Sequence, residues 1–139
     1  MQGQMIVPEL YCSDFERSLM FYLGIVGFRV VYRREGERFA YLSLSGADLM
    51  IEQTVEVNRQ LLAGEPIHPY GRGVNLQIFV DEIDDLYARF AAASSPIFRA
   101  LEESWYQQKE EEVGVRQFVA MDPDGYLLRF SQFGRIRGS

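Results

Sequence analysis

The chain has 139 residues, of which 47% are hydrophobic and 24% are charged. A chain of this size and composition can bury a substantial core as one globular domain, so we expect neither a disordered nor a fibrous protein. The 14 basic and 20 acidic residues give a net charge of −6, which argues against a surface that binds nucleic acid.

The first half of the chain predicts one strand, one helix and three more strands. A strand is expected over 5–11, and the sequence from Ser13 to Glu16 matches a capping box at a helix start. Gly24 and Gly27 are expected to end this helix. The apolar helix residues have the spacing of a single stripe: Phe15, Leu19, Tyr22 and Leu23. The three strands that follow are predicted over 28–34, 39–44 and 49–53.

The second half predicts the same order of elements after a linker. The linker, 54–73, is rich in Gly and Pro, and a short helix over Val57–Ala63 is one option there. A strand over 74–80 and a helix with an apolar stripe from Ile83 to Phe90 follow. The remaining segments are a short strand, a polar loop with the single tryptophan, a strand, an Asp-Pro-Asp-Gly turn and a last strand: 97–100, 102–113, 115–121, 122–125 and 126–132.

The two halves are interpreted as an internal duplication. Residues 5–53 and 74–133 each predict β-α-β-β-β, and Asp14 and Asp81 open the two helices 67 residues apart. A repeated unit of this kind determines the fold. We therefore interpret 1–139 as a single domain built from two modules.

Cysteine and histidine each occur once in the chain. Cys12 cannot form an intramolecular disulfide, and a lone His68 excludes a zinc site with several histidines. We interpret Cys12 as a buried residue and His68 as a surface residue of the linker. Because no run of 18 apolar residues and no secretory leader pattern are present, we expect a cytoplasmic protein without a membrane segment.

Three sequence motifs, combined with the duplicated order, point to a known family. They are Ser-Asp-Phe-Glu-Arg-Ser at 13–18, Gly-Phe-Arg-Val at 27–30 and Asp-Pro-Asp-Gly-Tyr at 122–126. The chain resembles the vicinal oxygen chelate superfamily, which includes glyoxalase I, extradiol dioxygenases, fosfomycin-resistance enzymes and bleomycin-resistance proteins. The segments most similar to the bleomycin-resistance branch are 7–11, 47–52, 71–75 and 104–106.

The resemblance implies an α+β fold. Two βαβββ modules would form a curled, eight-stranded, mostly antiparallel sheet with a concave cleft and two helices outside. Members of the superfamily often pair across a dimer, and sheet edges must be covered, so we expect a homodimer.

The resemblance also implies four positions for ligands of a divalent ion, which correspond to Val7, Glu52, Asn75 and Arg129. Valine offers no lone pair, and arginine is a permanent cation, so two of the positions cannot bind a metal. Glu52 and Asn75 alone are too few ligands. A rearranged site of Glu9, Glu52 and Asn75 stays open, but we expect no metal and no cofactor, and we expect Arg129 to pair with Glu9 or Glu52.

The cleft lining follows from strand alternation and from the loop that holds the tryptophan. Phe39, Tyr41 and Phe118 could contact a ligand or pack in the core, and both options stay open. A tryptophan in a polar loop favours binding. The predicted ligand-binding residues are Glu9, Phe39, Tyr41, Glu52, Asn75, Trp105, Tyr106, Phe118 and Arg129.

The expected function is that of a metal-free binding protein of bleomycin-resistance type. It would sequester a planar or cationic small molecule, such as an antibiotic, in an aromatic cleft, and would not be an enzyme. The alternatives are a divalent-metal-dependent, glyoxalase-like lyase or dioxygenase, and an interaction module whose cleft is closed by another protein. The family label alone does not decide between them.

Overall fold

The computed structural model describes residues 4–34, 36–55 and 61–138. Within these residues the chain forms two α-helices and eight strands. In chain order they are β1 (Glu9–Cys12), α1 (Phe15–Met20), β2 (Arg29–Arg33), β3 (Phe39–Leu44), β4 (Ala47–Gln53), β5 (Asn75–Phe79), α2 (Ile83–Ala92), β6 (Ile97–Gln108), β7 (Glu111–Met121) and β8 (Leu127–Gly138).

The strands form two four-stranded sheets in two compact units. Unit 1 comprises Met1–Tyr70 with Pro123–Gly125, and unit 2 comprises Gly71–Asp122 with Tyr126–Ser139. The strand order is β1-β4-β3-β2 in one sheet and β5-β8-β7-β6 in the other. The predicted α+β fold with its repeated order is confirmed. The sheets are mixed, however, because β1 pairs with β4 and β5 with β8 in parallel.

The core of unit 1 lies between its helical segment and one face of its sheet. Phe15 and Tyr22 are fully buried on the helical side, and α1 contacts β4. Ala40 and Leu42 of β3 lie in a row with Ile51 and Leu49 of β4 on the buried face. The alternate residues of these strands lie on the other face, which is available for a site.

The start and end of α1 differ in part from the sequence-based expectation. Asp14, not Ser13, is the N-cap, and its side chain accepts a hydrogen bond from the amide of Arg17 at 3.2 Å. The predicted capping box is therefore wrong. After Met20 the chain continues as a π-helical turn over Phe21–Val26 and ends at Gly27, whose φ of 102° favours glycine. Gly24 lies inside this turn, so it does not end the helical segment.

Ser13 is instead held by the Asp-Pro-Asp-Gly turn. Its amide and its hydroxyl donate to the two carboxylate oxygens of Asp124, at 3.0 and 2.5 Å. The backbone carbonyl of Asp124 also accepts from the amide of Tyr70 at 2.8 Å. Pro123–Gly125 thus belongs to unit 1, although the strands on either side of this turn belong to unit 2.

The core of unit 2 lies between α2 and one face of the second sheet. Ile83, Leu86 and Phe90 form the buried stripe of α2, as the sequence predicted. Phe90 packs against Phe118 of β7 and Phe130 of β8, with ring centroids 5.4 and 5.8 Å apart. Aromatic packing of this kind fixes the position of the helix on the sheet.

The predicted polar loop 102–113 is instead a β-hairpin. β6 and β7 pair from Glu102↔Gln117 to Gln108↔Glu111, and Lys109 adopts a φ of 56° at the turn. The expected helix over Val57–Ala63 lies mostly outside the described residues, and 61–63 are not helical. His68 precedes Pro69 through a cis peptide bond. In the described part of the chain, no helix is long and apolar enough to cross a membrane.

Candidate functional site

The face of the unit 1 sheet that lies opposite the helical segment carries a hydrogen-bonded carboxylate. The Tyr41 and Ser43 hydroxyls donate to the two carboxylate oxygens of Asp48, each at 2.7 Å. The hydrogen bonds from Ser43 and Tyr41 lower the pKa of Asp48 and keep it ionised. Tyr41, a predicted ligand residue, is therefore held in place by its own sheet.

Two further carboxylates lie on the same face. Glu9 and Tyr11 of β1 alternate toward it, and Tyr11 lies beside Glu52 of β4. Burial and the negative charge of Glu9 raise the pKa of Glu52. Burial also raises the pKa of Tyr11, whose hydroxyl accepts a hydrogen bond from the amide of Leu61 at 3.1 Å. Glu9 and Glu52 therefore lie close enough for their charges to interact.

Aromatic rings cover the rest of this face. Phe39 lies beside Glu52 in the sheet and is only 1% exposed. The guanidinium of Arg34 lies 4.2 Å from the centre of the Phe39 ring, and Tyr32 stacks on Tyr41 with ring centroids 5.2 Å apart. Phe39 is thus covered by its own neighbours, whereas the ring of Tyr32 is 44% exposed.

Unit 2 contains a cavity of about 470 Å³. Four predicted ligand residues line it, namely Asn75, Tyr106, Phe118 and Arg129. The other polar residues of its wall are Arg99, Glu102 and Gln117. The amide of Gln117 donates to the Tyr106 hydroxyl at 3.2 Å, so part of this wall is fixed by internal hydrogen bonds. The volume is within the range of small-molecule sites.

Strand register explains how these residues meet. Arg129 of β8 lies between Gln77 of β5 and Val119 of β7, and Val119 lies beside Arg99 of β6. Partners across neighbouring strands share a face, so the four residues form one row across the sheet. Arg129 alternates with Phe130, which packs against α2. The row is therefore on the face opposite the helix.

Two predicted ligand residues have their rings elsewhere. Phe118 borders the cavity but is 1% exposed, and its ring packs edge-on against Tyr87 of α2, with centroids 4.9 Å apart. Trp105 follows strand alternation and points away from the side of Tyr106. Its ring lies under the guanidinium of Arg137 at 3.6 Å. Both expectations of an aromatic wall are thus corrected, because Phe118 is a core residue and Trp105 lies in a strand.

The sequence-based reasoning missed Arg99, Glu102 and Gln117. Arg99 and Glu102 belong to a strand that was predicted to end at residue 100. Gln117 was missed because its neighbour Phe118 was assigned to the cleft, and adjacent residues of a strand lie on opposite faces. The apolar pair Phe118 and Ala120 was the available signal, since a buried alternation marks the helix-facing side.

The comparisons with known proteins fit this architecture. The family model described as the Glyoxalase/Bleomycin resistance protein/Dioxygenase superfamily matches residues 4–130. The chain belongs to this superfamily. No curated protein matches it.

Several solved structures are similar to most of the chain. TioX from Micromonospora sp. ML1 has 25% sequence identity and a TM-score of 0.73, over 94% of this chain and 98% of that chain. A superfamily member from Vibrio splendidus 12B01 has 41% identity over 92% and 97%, with a TM-score of 0.43. Lactoylglutathione lyase from Agrobacterium tumefaciens has 17% identity over 95% and 96%, with a TM-score of 0.60. At 17% identity, the last similarity shows the fold alone.

The metal that the superfamily resemblance implies does not fit the residues in either unit. In unit 2 the two positions hold the amide of Asn75 and the guanidinium of Arg129, which donates to the side-chain amide oxygen Oε1 of Gln77 at 3.3 Å. A cation with no lone pair cannot act as a ligand. In unit 1 they hold Val7 and Glu52. The described residues contain no group of three or more His, Cys, Asp or Glu side chains placed to hold an ion.

Proposed function

We propose that this protein is a small-molecule-binding member of the superfamily, of bleomycin-resistance type, which sequesters a planar molecule such as an antibiotic. The observation that carries the proposal is the cavity of about 470 Å³ on the open face of the second sheet. It combines partly exposed aromatic side chains with amides and charges, which are groups that can contact and orient a small molecule.

The aromatic contribution comes from Phe98 and Tyr106. Their side chains remain 53% and 44% exposed, although both border the cavity. Exposed rings at the edge of a cavity gain from contact with a flat ligand, because such a contact removes apolar surface from water. The hydrogen bond from Gln117 holds Tyr106 in its place.

The residues at the expected metal-ligand positions favour small-molecule binding over metal-dependent catalysis. Val7 and Arg129 occupy two of the positions that a metal-dependent lyase or dioxygenase would need for ligands. Metal analysis of protein purified without chelator distinguishes the two functions. Manganese, iron, nickel or zinc in a stoichiometric amount would contradict the binding proposal.

Calorimetric titration with metal-free bleomycin tests the function directly. We expect saturable binding, and a loss of about 2 kcal/mol of binding free energy in Tyr106→Ala, as for an aromatic hot spot. Tyr32→Ala is the matched control, because Tyr32 is also 44% exposed but lies in unit 1. A loss in Tyr32→Ala without one in Tyr106→Ala would contradict the assignment of the site to the cavity.

A cytoplasmic location and a homodimeric state are also part of the proposal. The location is supported by the single cysteine, Cys12, which is buried and needs no oxidising compartment. The homodimer is supported by two exposed aromatic residues in unit 2, Phe79 and Phe133, whose rings stack on one another.

A further inference from the structure

We propose that the molecule held in this cavity carries a carboxylate or a similar oxyanion, which Arg99 and Arg129 bind together. The inference rests on the proposed function and specifies the chemistry of its ligand. Its basis is the placement of two guanidinium groups in one row of the sheet, neither of which forms a salt bridge with a carboxylate among the described residues of unit 2.

The row places the two arginines on either side of Val119. Arg99 and Arg129 are both cross-strand partners of Val119, on β6 and β8. Neighbouring strands are about 4.8 Å apart, so the two backbones are separated by roughly two strand spacings. Long side chains from both positions can reach a single group above Val119. Both residues border the cavity.

Neither arginine has an acidic partner within unit 2. Among the described residues of that unit, no carboxylate lies within 4 Å of either guanidinium. Other arginines there do pair with an acid, at distances of 2.6, 3.5 and 2.8 Å: Arg116 with Asp84, Arg135 with Glu103 and Arg137 with Glu112. The lack of a partner thus sets Arg99 and Arg129 apart from these three.

The hydrogen bonding of Arg129 is also incomplete. Its one hydrogen bond goes to Gln77 at 3.3 Å, and its Nε atom is buried without an acceptor. A buried donor without an acceptor is unfavourable, so an incoming acceptor would be stabilised there. The fork of N–H groups on a guanidinium matches the two oxygens of a carboxylate.

The charge of the wall supports an anion rather than a cation. Glu102 borders the cavity as well, but it lies one row away, beside Gln117. Two cationic and one anionic side chain therefore face the cavity, in a chain whose net charge is −6. The excess of positive charge in the cavity wall therefore does not follow from the overall composition, which is acidic. The two guanidinium groups favour an anionic part of a ligand and disfavour a cationic group placed directly beside them.

The test compares three planar probes that differ in charge: 2-naphthoate, 2-naphthamide and 2-naphthylmethylammonium. Amide chemical shifts of ¹⁵N-labelled protein, titrated with each probe, give both the affinity and the location. We expect naphthoate to bind at least tenfold more tightly than the other two, with shifts at Val119 and Asn75. Equal or tighter binding of the amide or the cation would overturn the inference and leave the proposed function in place.

Arginine variants complete the test. Arg99→Gln and Arg129→Gln should each weaken naphthoate at least tenfold and leave naphthamide unchanged, and Arg99 is exposed enough that its variant should fold. Arg135→Gln is the matched control, because Arg135 pairs with Glu103 and lies against Trp105. An equal loss in all three variants would contradict the inference. Absence of binding by every probe would overturn the inference and the proposed function together.

Discussion

The carboxyl group of Glu52 is disfavoured in its charged form by partial burial and by the negative charge of Glu9, which raise its pKa. The folded state therefore holds this proton to a higher pH than the unfolded state does. Proton binding by Glu52 therefore contributes to the free energy of unfolding. This contribution is fully present below the ordinary glutamate pKa and is lost as the pH rises through the raised pKa.

We expect Glu52→Gln to raise the melting temperature at pH 7, because glutamine removes the buried charge and keeps a similar shape. The gain should disappear on acidification below about pH 4, where glutamate is itself neutral. Thermal unfolding measured at several pH values between 4 and 8 tests this. Glu16→Gln is the control, since the Glu16 side chain is 74% exposed. A gain that does not depend on pH would disprove the charge-based explanation.

Asp48 shows the opposite shift, because Ser43 and Tyr41 donate to it and lower its pKa. Its contribution to stability is therefore present above the ordinary aspartate pKa and is lost as the pH falls through the lowered value. We expect Tyr41→Phe to cost about 1–2 kcal/mol of unfolding free energy at pH 7, since a hydrogen bond to a charged acceptor is lost.

Urea unfolding of Tyr41→Phe at pH 7 and near pH 3 measures this cost. The difference from the wild type should be smaller at the lower pH, because the pH then approaches the lowered pKa of Asp48 and protonation of the carboxylate begins. Tyr87→Phe is a suitable control, because Tyr87 makes a ring contact with Phe118 that the substitution keeps. If Tyr41→Phe were as stable as the wild type at pH 7, the hydrogen bond would not contribute.

The element that links distant parts of the sequence is the Asp-Pro-Asp-Gly turn. The sequence predicted the turn but not its partner, because Ser13 is 111 residues from Asp124 along the chain. A local sequence pattern can identify a turn. The two groups that donate hydrogen bonds to Asp124 belong to Ser13, directly before the N-cap of α1, and no local pattern connects them with the turn. The same distance explains why Ser13 was assigned to a capping box.

We expect Asp124→Ala to destabilise the protein by about 2–4 kcal/mol, since it leaves the Ser13 amide and hydroxyl without their acceptor. Ser13→Ala should cost less, because it removes only the hydroxyl. Chemical unfolding of both variants gives the two values, with exposed Asp81→Ala as the control. Equal stability of Asp124→Ala and Asp81→Ala would rule out a role for these hydrogen bonds.

Residues 102–113 of the hairpin of β6 and β7 were predicted as a loop because their sequence lacks the pattern of a strand. Between Glu102 and Lys109 nearly all side chains are polar, because the strand is solvated on both of its faces. The alternation that marks a half-buried strand is therefore absent. Asn75 and Arg129 were assigned to the cleft from the alternation of their strands, β5 and β8, and both line the cavity. Arg99 lay inside the predicted strand 97–100 but was not assigned to the cleft, and Glu102 lay beyond the end of that predicted strand.

At the scale of the whole molecule, the duplicated order of elements was predictable because each half repeats the same apolar spacings. The parallel pairing of β1 with β4 and of β5 with β8 was not, since it depends on which strand edges meet after folding. The pairing determines the row of Gln77, Arg129, Val119 and Arg99. The composition of the site was thus partly visible in the sequence, whereas its geometry was not.

The association of two chains stays a prediction, and unit 2 offers a surface for it. Phe79 and Phe133 stack with ring centroids 4.6 Å apart and remain 45% and 59% exposed, and Ile136 nearby in the chain is 64% exposed. Large exposed apolar residues in a cluster often mark an interface. A twofold contact between two copies would cover the patch of both at once.

Sedimentation at micromolar concentration should therefore give a mass of about twice 16.1 kDa. Phe133→Lys should shift the protein toward the monomer, because it places a charge in the buried centre of the contact. Met20→Lys, at a 73% exposed position in unit 1, is the matched control and should leave the mass unchanged. A wild-type protein that sediments as a monomer would contradict the homodimer. A dimer that Phe133→Lys leaves intact would show that the two chains associate through a different surface.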